Sequence, residues 1–301
     1  MKNLTFIFLL FGLMVSAQNT RIIYEYYFKP DSLKQDDTKK ELMYLDITKS
    51  GSKFYSRDKA IQDSTINAEM QKQMALNSGS GSFSFKASSG KPALVNYKVI
   101  KSYPDFQSVL HTNIHRYNYK VKETEPINWM ILSENKTIGD FKAQKATADF
   151  GGRQWVAWFT MDIPFQDGPY KFSGLPGLIL ELEDTKQQHS FKFAGSKNFS
   201  EVTLVSDTSA KSGGNGMVMI GIGNGKEIEV TEEKFNQLWN EYKNDPVKDM
   251  RQMMSRPGMQ FRVNINGKEI TDPTEMIRSQ EKVLKESIKR DNNQIEPSLY
   301  K

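Results

Sequence analysis

The sequence predicts a mainly β protein of the α+β class. We expect a strongly bent antiparallel β-sheet or a partly open barrel, with C-terminal helices packed against it. Short runs of alternating apolar and polar residues, separated by turn residues, fill residues 18–230. Helical periodicity dominates only after Thr231. The turns between the runs are short, and short turns join antiparallel neighbours, whereas parallel strands need long crossover connections.

Residues 1–17 have the pattern of a secretory signal peptide. Lys2 precedes an apolar run at residues 4–15, and Val15-Ser16-Ala17 provides a cleavage site before Gln18. The run is shorter than the roughly 20 apolar residues of a transmembrane helix. We therefore expect an exported protein without a transmembrane segment, located in the periplasm, at the outer membrane or outside the cell.

The predicted β domain covers residues 18–230 and contains one insertion. A helix over residues 63–76 and a Ser/Gly linker at residues 78–82 interrupt the strands, so the insertion spans about residues 58–82. Gly151-Gly152 joins two of the strands as a hairpin. The strand-like runs are residues 21–28, 42–48, 53–56, 83–86, 94–103, 108–122, 129–132, 142–150, 153–161, 178–183, 190–193, 201–205, 217–222 and 226–230.

Residues 231–301 are predicted to form a helical extension with one hairpin. Thr231 caps a helix with an apolar stripe, and a Met-rich helix covers residues 247–254. A hairpin turns at Asn266-Gly267, and Asp272-Pro273 begins a final helix. The end of the chain from Asn292 onward is polar, so we expect it to fray.

Apolar residues, prolines and glycines concentrate most densely at residues 155–184. A buried strand leads into an apolar loop that contains Gly174, Pro176 and Gly177. Leu175-Pro176-Gly177-Leu178 has the order of a type II turn, with glycine at the position of positive φ. These glycines and the proline are therefore predicted to be structural turn residues.

The same residues carry a family resemblance. GLPGLI at residues 174–179 is preceded by INWMI at 127–131, KTIGDFKAQKAT at 136–147, GGRQW at 151–155 and GPYKF at 168–172. In this order the motifs resemble the GLPGLI family of Gram-negative envelope proteins, over about residues 117–184. The resemblance implies an envelope address and no assigned activity. Ala143 stands where members of that family often carry cysteine, and since this chain has no cysteine, a thiol role is excluded.

Few residues suggest catalysis. His111 and His115 share a face of a predicted strand, where four residues span ~13 Å, so we expect no metal site. Glu181 and Glu183 project from one strand face at ~7 Å, a spacing that paired carboxylates use in acid–base catalysis. An alternative function is therefore a hydrolase in which Glu181, Glu183 or Asp184 meets a distant histidine.

The remaining candidates are apolar. The sequence leaves two interpretations open for them: they form the core of the sheet, or they line a binding surface for an envelope or outer-membrane protein or an apolar ligand. The net charge of +5 comes from interleaved lysine and glutamate, which disfavours nucleic acid. We expect a non-catalytic binding or assembly factor that needs no cofactor. The candidate binding residues are Trp155, Trp158, Tyr170, Phe172 and Leu175.

Overall fold

The computed structural model describes residues 19–76, 91–123, 126–199, 226–255, 263–265, 268–270 and 272–301. The predicted signal peptide, with its predicted cleavage site between Ala17 and Gln18, lies outside the described residues. So do the Ser/Gly linker, the strands predicted at residues 83–86, 201–205 and 217–222, and the turn at Asn266-Gly267.

One large sheet of twelve strands organises the described residues. Its strands follow the spatial order β12-β6-β5-β4-β3-β2-β1-β11-β10-β9-β8-β7. In chain order they are β1 (Asn19–Phe28), β2 (Lys39–Ile47), β3 (Gly51–Ser56), β4 (Lys98–Ser102), β5 (Ser108–Ile114), β6 (Tyr117–Lys122), β7 (Met130–Ile138), β8 (Phe141–Phe150), β9 (Arg153–Thr160), β10 (Leu178–Asp184), β11 (His189–Phe199) and β12 (Ile228–Val230).

The other elements in the described part of the chain are a small hairpin and four helices. β13 (Val263–Ile265) pairs antiparallel with β14 (Lys268–Ile270). The helices are α1 (Arg57–Leu76), α2 (Glu232–Asn244), α3 (Lys248–Met254) and α4 (Pro273–Arg290), and a single helical turn covers Pro297–Tyr300. None of the described helices combines the length and the hydropathy that crossing a membrane would require.

The mainly β prediction is confirmed, with one correction to its antiparallel character. β12 runs parallel to β6, so the sheet is mixed. It does not close into a barrel, because β12 and β7 remain at its two ends. The sheet bends strongly: the rings of Phe54 on β3 and Phe191 on β11 are 5.9 Å apart, although strands three positions apart in a flat sheet are separated by about 14 Å.

Several predicted elements differ in extent, among them β4, β7 and β11, and two further cases have a clear local cause. The run at residues 108–122 is the hairpin β5–β6, which turns at His115 with a φ of 54°. Helix α1 begins at Arg57, earlier than predicted, because the Ser56 hydroxyl accepts a hydrogen bond from the Lys59 backbone N–H and caps the helix.

The predicted type II turn is wrong. The Gly177 N–H donates to the Leu175 carbonyl at 2.7 Å, which closes a tighter three-residue turn. Gly177 does have a positive φ, of 158°. Its more demanding constraint is space, because a Cβ at this position would lie 1.9 Å from the Thr160 carbonyl oxygen.

The prediction that the chain frays after Asn292 is also wrong. Ile295, Glu296 and Leu299 are buried. The segment crosses the β8–β9 hairpin, where the Ser298 N–H donates to the Gly151 carbonyl at 3.0 Å. Polar residues fray when nothing in the fold binds them, and here the turns and loops beside the sheet supply the partners.

Candidate functional site

The loop between β9 and β10, residues 161–177, is called the signature loop here and lies against the concave side of the sheet. Its path is fixed by backbone contacts at both ends. The Ile179 N–H donates to the Asp167 carbonyl at 3.0 Å, and the Gly174 N–H donates to the Gln166 carbonyl at 3.0 Å. The Trp129 indole N–H also donates to the Ser173 carbonyl at 2.8 Å. The loop is therefore part of the packed interior.

Phe172 is the centre of an aromatic cluster beneath this loop. It has no exposed surface. Its ring centroid lies 4.8 Å from Trp155 and 5.2 Å from Phe150, both in edge-to-face arrangements. Trp129 and Tyr170 follow at 6.0 and 6.4 Å. Such pairs add to the stabilisation from buried apolar area, so the cluster anchors the loop.

The structure divides the five candidate binding residues into two groups. Trp155, Tyr170, Phe172 and Leu175 are each at most 1% exposed, so these four side chains offer no surface to a partner in this conformation. Trp158 is half-buried, and the Lys136 ammonium lies 4.4 Å from its ring centroid. The burial favours a packing role for the signature loop, and its role in binding remains a prediction.

Replacing Phe172 with serine tests which role applies. We expect a fall in the free energy of unfolding on the scale of the ~3–5 kcal/mol measured for buried Phe→Ala changes. Met161→Ser is the matched control, because this side chain lies in the same loop and is 66% exposed. Chemical denaturation measures both variants. An unchanged stability of Phe172→Ser, together with loss of partner crosslinking, would make the loop a binding site.

The signature loop contributes one half of a fully buried ion pair. Lys101 on β4 and Asp167 in the loop both have no exposed side-chain surface, and Nζ lies 2.5 Å from Oδ1. Nζ also donates to the carbonyls of Gly168 at 2.8 Å and Phe172 at 3.1 Å. Burial lowers the pKa of Lys101, although Asp167 opposes this effect. The pair ties the loop to a strand on the far side of the bend.

A second buried lysine binds carboxylates from two distant parts of the chain. Lys171 Nζ lies 2.8 Å from a carboxylate oxygen of Glu123 and 2.8 Å from one of Glu296. The Tyr170 hydroxyl donates to the same Glu296 oxygen at 2.8 Å. Burial alone would lower the pKa of Lys171, but Glu296 and Glu123 outweigh it and raise the pKa. This centre fixes the C-terminal segment on the loop.

Glu232 completes this cluster. Glu123, Glu232 and Glu296 have carboxylate oxygens within 4.8 Å of one another, a spacing at which carboxylates can hold a metal ion. Here the Lys171 ammonium supplies positive charge at the same place. Burial, followed by the neighbouring Glu123, raises the pKa of Glu232 to about 7. With all groups ionised, three carboxylates would surround one ammonium, so a proton on Glu232 relieves their repulsion.

The raised pKa of Glu232 predicts a pH dependence of stability. A carboxyl group that binds its proton more tightly in the folded state stabilises the fold fully below its ordinary pKa of 4.5 and loses that contribution as the pH rises through about 7. We expect wild type to lose stability relative to Glu232→Gln between about pH 4 and about pH 8. Urea unfolding over this range measures the difference, and parallel curves would contradict the assignment.

A third polar centre surrounds Asp184 at the end of β10. Asp184 accepts from the Arg153 guanidinium at 3.1 Å and from the backbone N–H groups of Gln188 and His189, each at 2.7 Å. Arg153 also donates to Asn293 Oδ1 and the Gln294 carbonyl, each at 2.6 Å. This centre therefore holds the C-terminal segment as well.

His189 lies beside that centre with its ring turned to another partner. The Tyr26 hydroxyl and His189 Nδ1 are hydrogen-bonded at 2.7 Å. Burial, and then the charge of Arg153, lowers the pKa of His189 to about 3, so the imidazole is neutral at physiological pH. Asp184 meets a histidine through the main chain only, and this contact positions the backbone rather than activating the imidazole.

The other candidates from the sequence do not converge. Glu181 pairs with Lys136 on the outer face of the sheet. Glu183 is half-buried, and burial raises its pKa. His111 binds Glu227 at 2.8 Å, whereas His115 stacks on Tyr242 with ring centroids 5.9 Å apart. The two histidines therefore have different partners.

Sequence reasoning missed several charged residues of the interior, among them Lys101, Asp167, Lys171 and Glu296. Two of them, Asp167 and Lys171, stand inside the most apolar stretch of the chain. A charge in such surroundings is buried only with a partner. That signal marks both residues as paired, but it does not name their partners.

Comparisons with known proteins point to the same segment. A family described as "Protein of unknown function (Porph_ging)" matches residues 150–181, which include β9, the whole signature loop and the start of β10. Among curated proteins there is no match. Two solved structures of PNGF-II, in different space groups, are similar at 11% and 12% identity with a TM-score of 0.45.

The alignments to PNGF-II cover 74% of this chain, and the chain spans about a third of the length of PNGF-II, 33% and 32% in the two structures. At this TM-score the likeness carries no functional argument. Over residues 150–181, this chain resembles a family whose members have no assigned activity.

Proposed function

We propose that this protein is an exported, non-catalytic binding or assembly factor of the cell envelope and a member of the GLPGLI family. The signal-peptide pattern and the ordered motifs of residues 127–179 support the address and the family. We propose β7 as the element that receives the partner. Its exposed outer edge is the observation that carries this function.

β7 ends the sheet on one side and pairs with β8 alone among the described strands. Met130 is 65% exposed and Ile131 is 47% exposed. The unpaired N–H and C=O groups of an edge strand are a template for another extended segment. Two features of β7 disfavour unspecific pairing: its register with β8 is irregular between Ile131 and Asn135, and it carries the charges of Glu134 and Lys136. The partner segment therefore has to be complementary to β7 in shape and charge.

The positions of the candidate acids favour binding over a hydrolase. The alternative is a hydrolase that uses Glu181, Glu183 and Asp184. It has weaker support, because Asp184 is bound to Arg153 while Glu181 lies on the outer face with Lys136.

Photo-crosslinking in intact cells tests the proposal. A photoreactive phenylalanine analogue replaces Met130 in one variant and Met161 in the other, because the two side chains are equally exposed at 65% and 66% while Met161 lies outside β7. We expect one covalent adduct, to a single envelope protein, from position 130 only. No adduct from either position, or equal adducts from both, would contradict the role of β7.

Export is tested separately on the same cells. Fractionation followed by N-terminal sequencing should find a chain beginning at Gln18 outside the cytoplasm. An unprocessed chain in the cytoplasm would contradict the envelope address whatever the crosslinking shows.

A further inference from the structure

The pair of Lys101 and Asp167 has the composition of a small reactive centre. Its lysine and aspartate have no exposed side-chain surface. Tyr103 and the backbone of the signature loop provide its other polar contacts. Among the described residues, neither member forms an ion pair with a third charged group. The two charges are therefore balanced only by each other, away from water.

Three groups contact the Asp167 carboxyl in an arrangement that suits acyl transfer. Lys101 Nζ is 2.5 Å from Oδ1. The Gly168 N–H donates to Oδ1 at 2.7 Å, where it can stabilise negative charge on that oxygen. The Tyr103 hydroxyl donates to Oδ2 at 2.5 Å, where it can protonate a departing oxygen. Nucleophile, electrophile, oxyanion donor and acid are thus in contact before any reaction.

We propose that Lys101 Nζ and Asp167 Cγ form an intramolecular isopeptide bond. A proton from the Lys101 ammonium first comes to rest on Oδ2 of Asp167, which leaves a free amine beside a carboxylic acid whose carbonyl oxygen is Oδ1. Nζ then attacks Cγ, and the resulting charge on Oδ1 is held by the Gly168 N–H. The C–Oδ2 bond breaks as Tyr103 protonates Oδ2, and Tyr103 is reprotonated by the proton that Nζ loses. An ammonium and a carboxylate become one amide and one water, with no change in oxidation state.

The Gly168 and Phe172 carbonyls fit this sequence of steps. Both accept from Nζ, at 2.8 and 3.1 Å, and so direct two of its protons away from Asp167. With both hydrogens of the neutral amine bound to these carbonyls, its lone pair points toward the carboxyl group of Asp167. The amide would join β4 covalently to the signature loop and fix the far side of the bend. Because the fold already holds Nζ next to Cγ, the reaction is unimolecular and avoids the entropic cost of bringing the two groups together.

Intact mass spectrometry of the denatured wild-type protein tests the proposal without any variant. We expect the mature chain to be lighter than its sequence by one water molecule. Proteolysis should yield a branched peptide that joins the segment containing Lys101 to the segment containing Asp167. A mass equal to that of the sequence, with only linear peptides, would overturn the proposal.

Asp167-Gly168 is also a sequence that loses water by forming a cyclic imide with the next backbone nitrogen, so the site of the loss has to be shown. Lys101→Arg removes the isopeptide bond and leaves imide formation intact, so we expect its full sequence mass. Asp167→Asn should form the same branched peptide with loss of ammonia instead of water. A water loss that persists in Lys101→Arg, carried by a linear peptide, would overturn the isopeptide bond.

Discussion

Replacing Gly177 with alanine is expected to prevent stable folding. A Cβ at this position would lie 1.9 Å from the Thr160 carbonyl oxygen and 2.6 Å from its carbon, both of them backbone atoms. Real Cβ contacts do not occur at such distances, so the end of β9 or the start of β10 has to move. Both strands are central to the core, and we expect a loss of about 4–5 kcal/mol or more. Soluble yield and urea unfolding measure it.

Gly195→Ala is the matched control for this substitution. Gly195 has a φ of 154°, close to the 158° of Gly177, and a Cβ there would meet nothing within 4 Å. Both variants carry similar backbone strain, and only Gly177→Ala adds the clash. We expect Gly195→Ala to fold with a modest loss. Equal losses in the two variants would assign the effect to φ and would contradict the steric explanation.

Lys171→Met should have the second-largest effect. Methionine retains most of the volume of lysine but leaves Glu123, Glu232 and Glu296 together without their ammonium. Removal of one partner from a buried ion pair costs about 3–5 kcal/mol, because the remaining charge is buried without compensation. We expect the C-terminal segment to detach first, since Glu296 is its charged contact with the signature loop. Limited proteolysis and urea unfolding report these two consequences.

Lys136→Met and a double variant serve as controls for that experiment. Lys136 pairs with Glu181 on the outer face, with side-chain exposures of 37% and 29%. A pair that water reaches contributes about 0–1 kcal/mol. Lys171→Met combined with Glu296→Gln should recover part of the lost stability, because it removes one of the uncompensated charges. A Lys171→Met variant as stable as Lys136→Met would refute the role of the cluster.

Elements whose causes lie within a few residues are predictable from the sequence. Gly151 and Gly152 take φ values of 63° and 86°, as a tight hairpin requires. The Thr231 and Asp272 side chains accept from the backbone N–H groups at the starts of α2 and α4. The alternation along β1 also appears as alternate burial. In each case the residue and the group that it satisfies are neighbours in the chain.

The signature-loop turn shows where local reasoning ends. Proline followed by glycine suits a type II turn, and the chain nevertheless forms a tighter one. Gly177 is needed because the Thr160 carbonyl approaches it, and that approach depends on the pairing of Leu178 with Thr160. The conformational preference of glycine is a local property, but the space available for a side chain at Gly177 is determined by the neighbouring strand β9.

The bend of the sheet and the buried charges have causes that are distant in the chain. β1 lies between β2 and β11, and Tyr24 on β1 pairs with Phe193. Lys101 meets Asp167, and Lys171 meets Glu296, because the bend folds the loop and the C-terminal segment onto one concave side. Local patterns identify strands, caps and turns through short-range hydrogen bonds and side-chain alternation. Which distant charged residues pair with each other depends on which of them the complete fold buries together, since a buried charge is stable only beside its counter-charge.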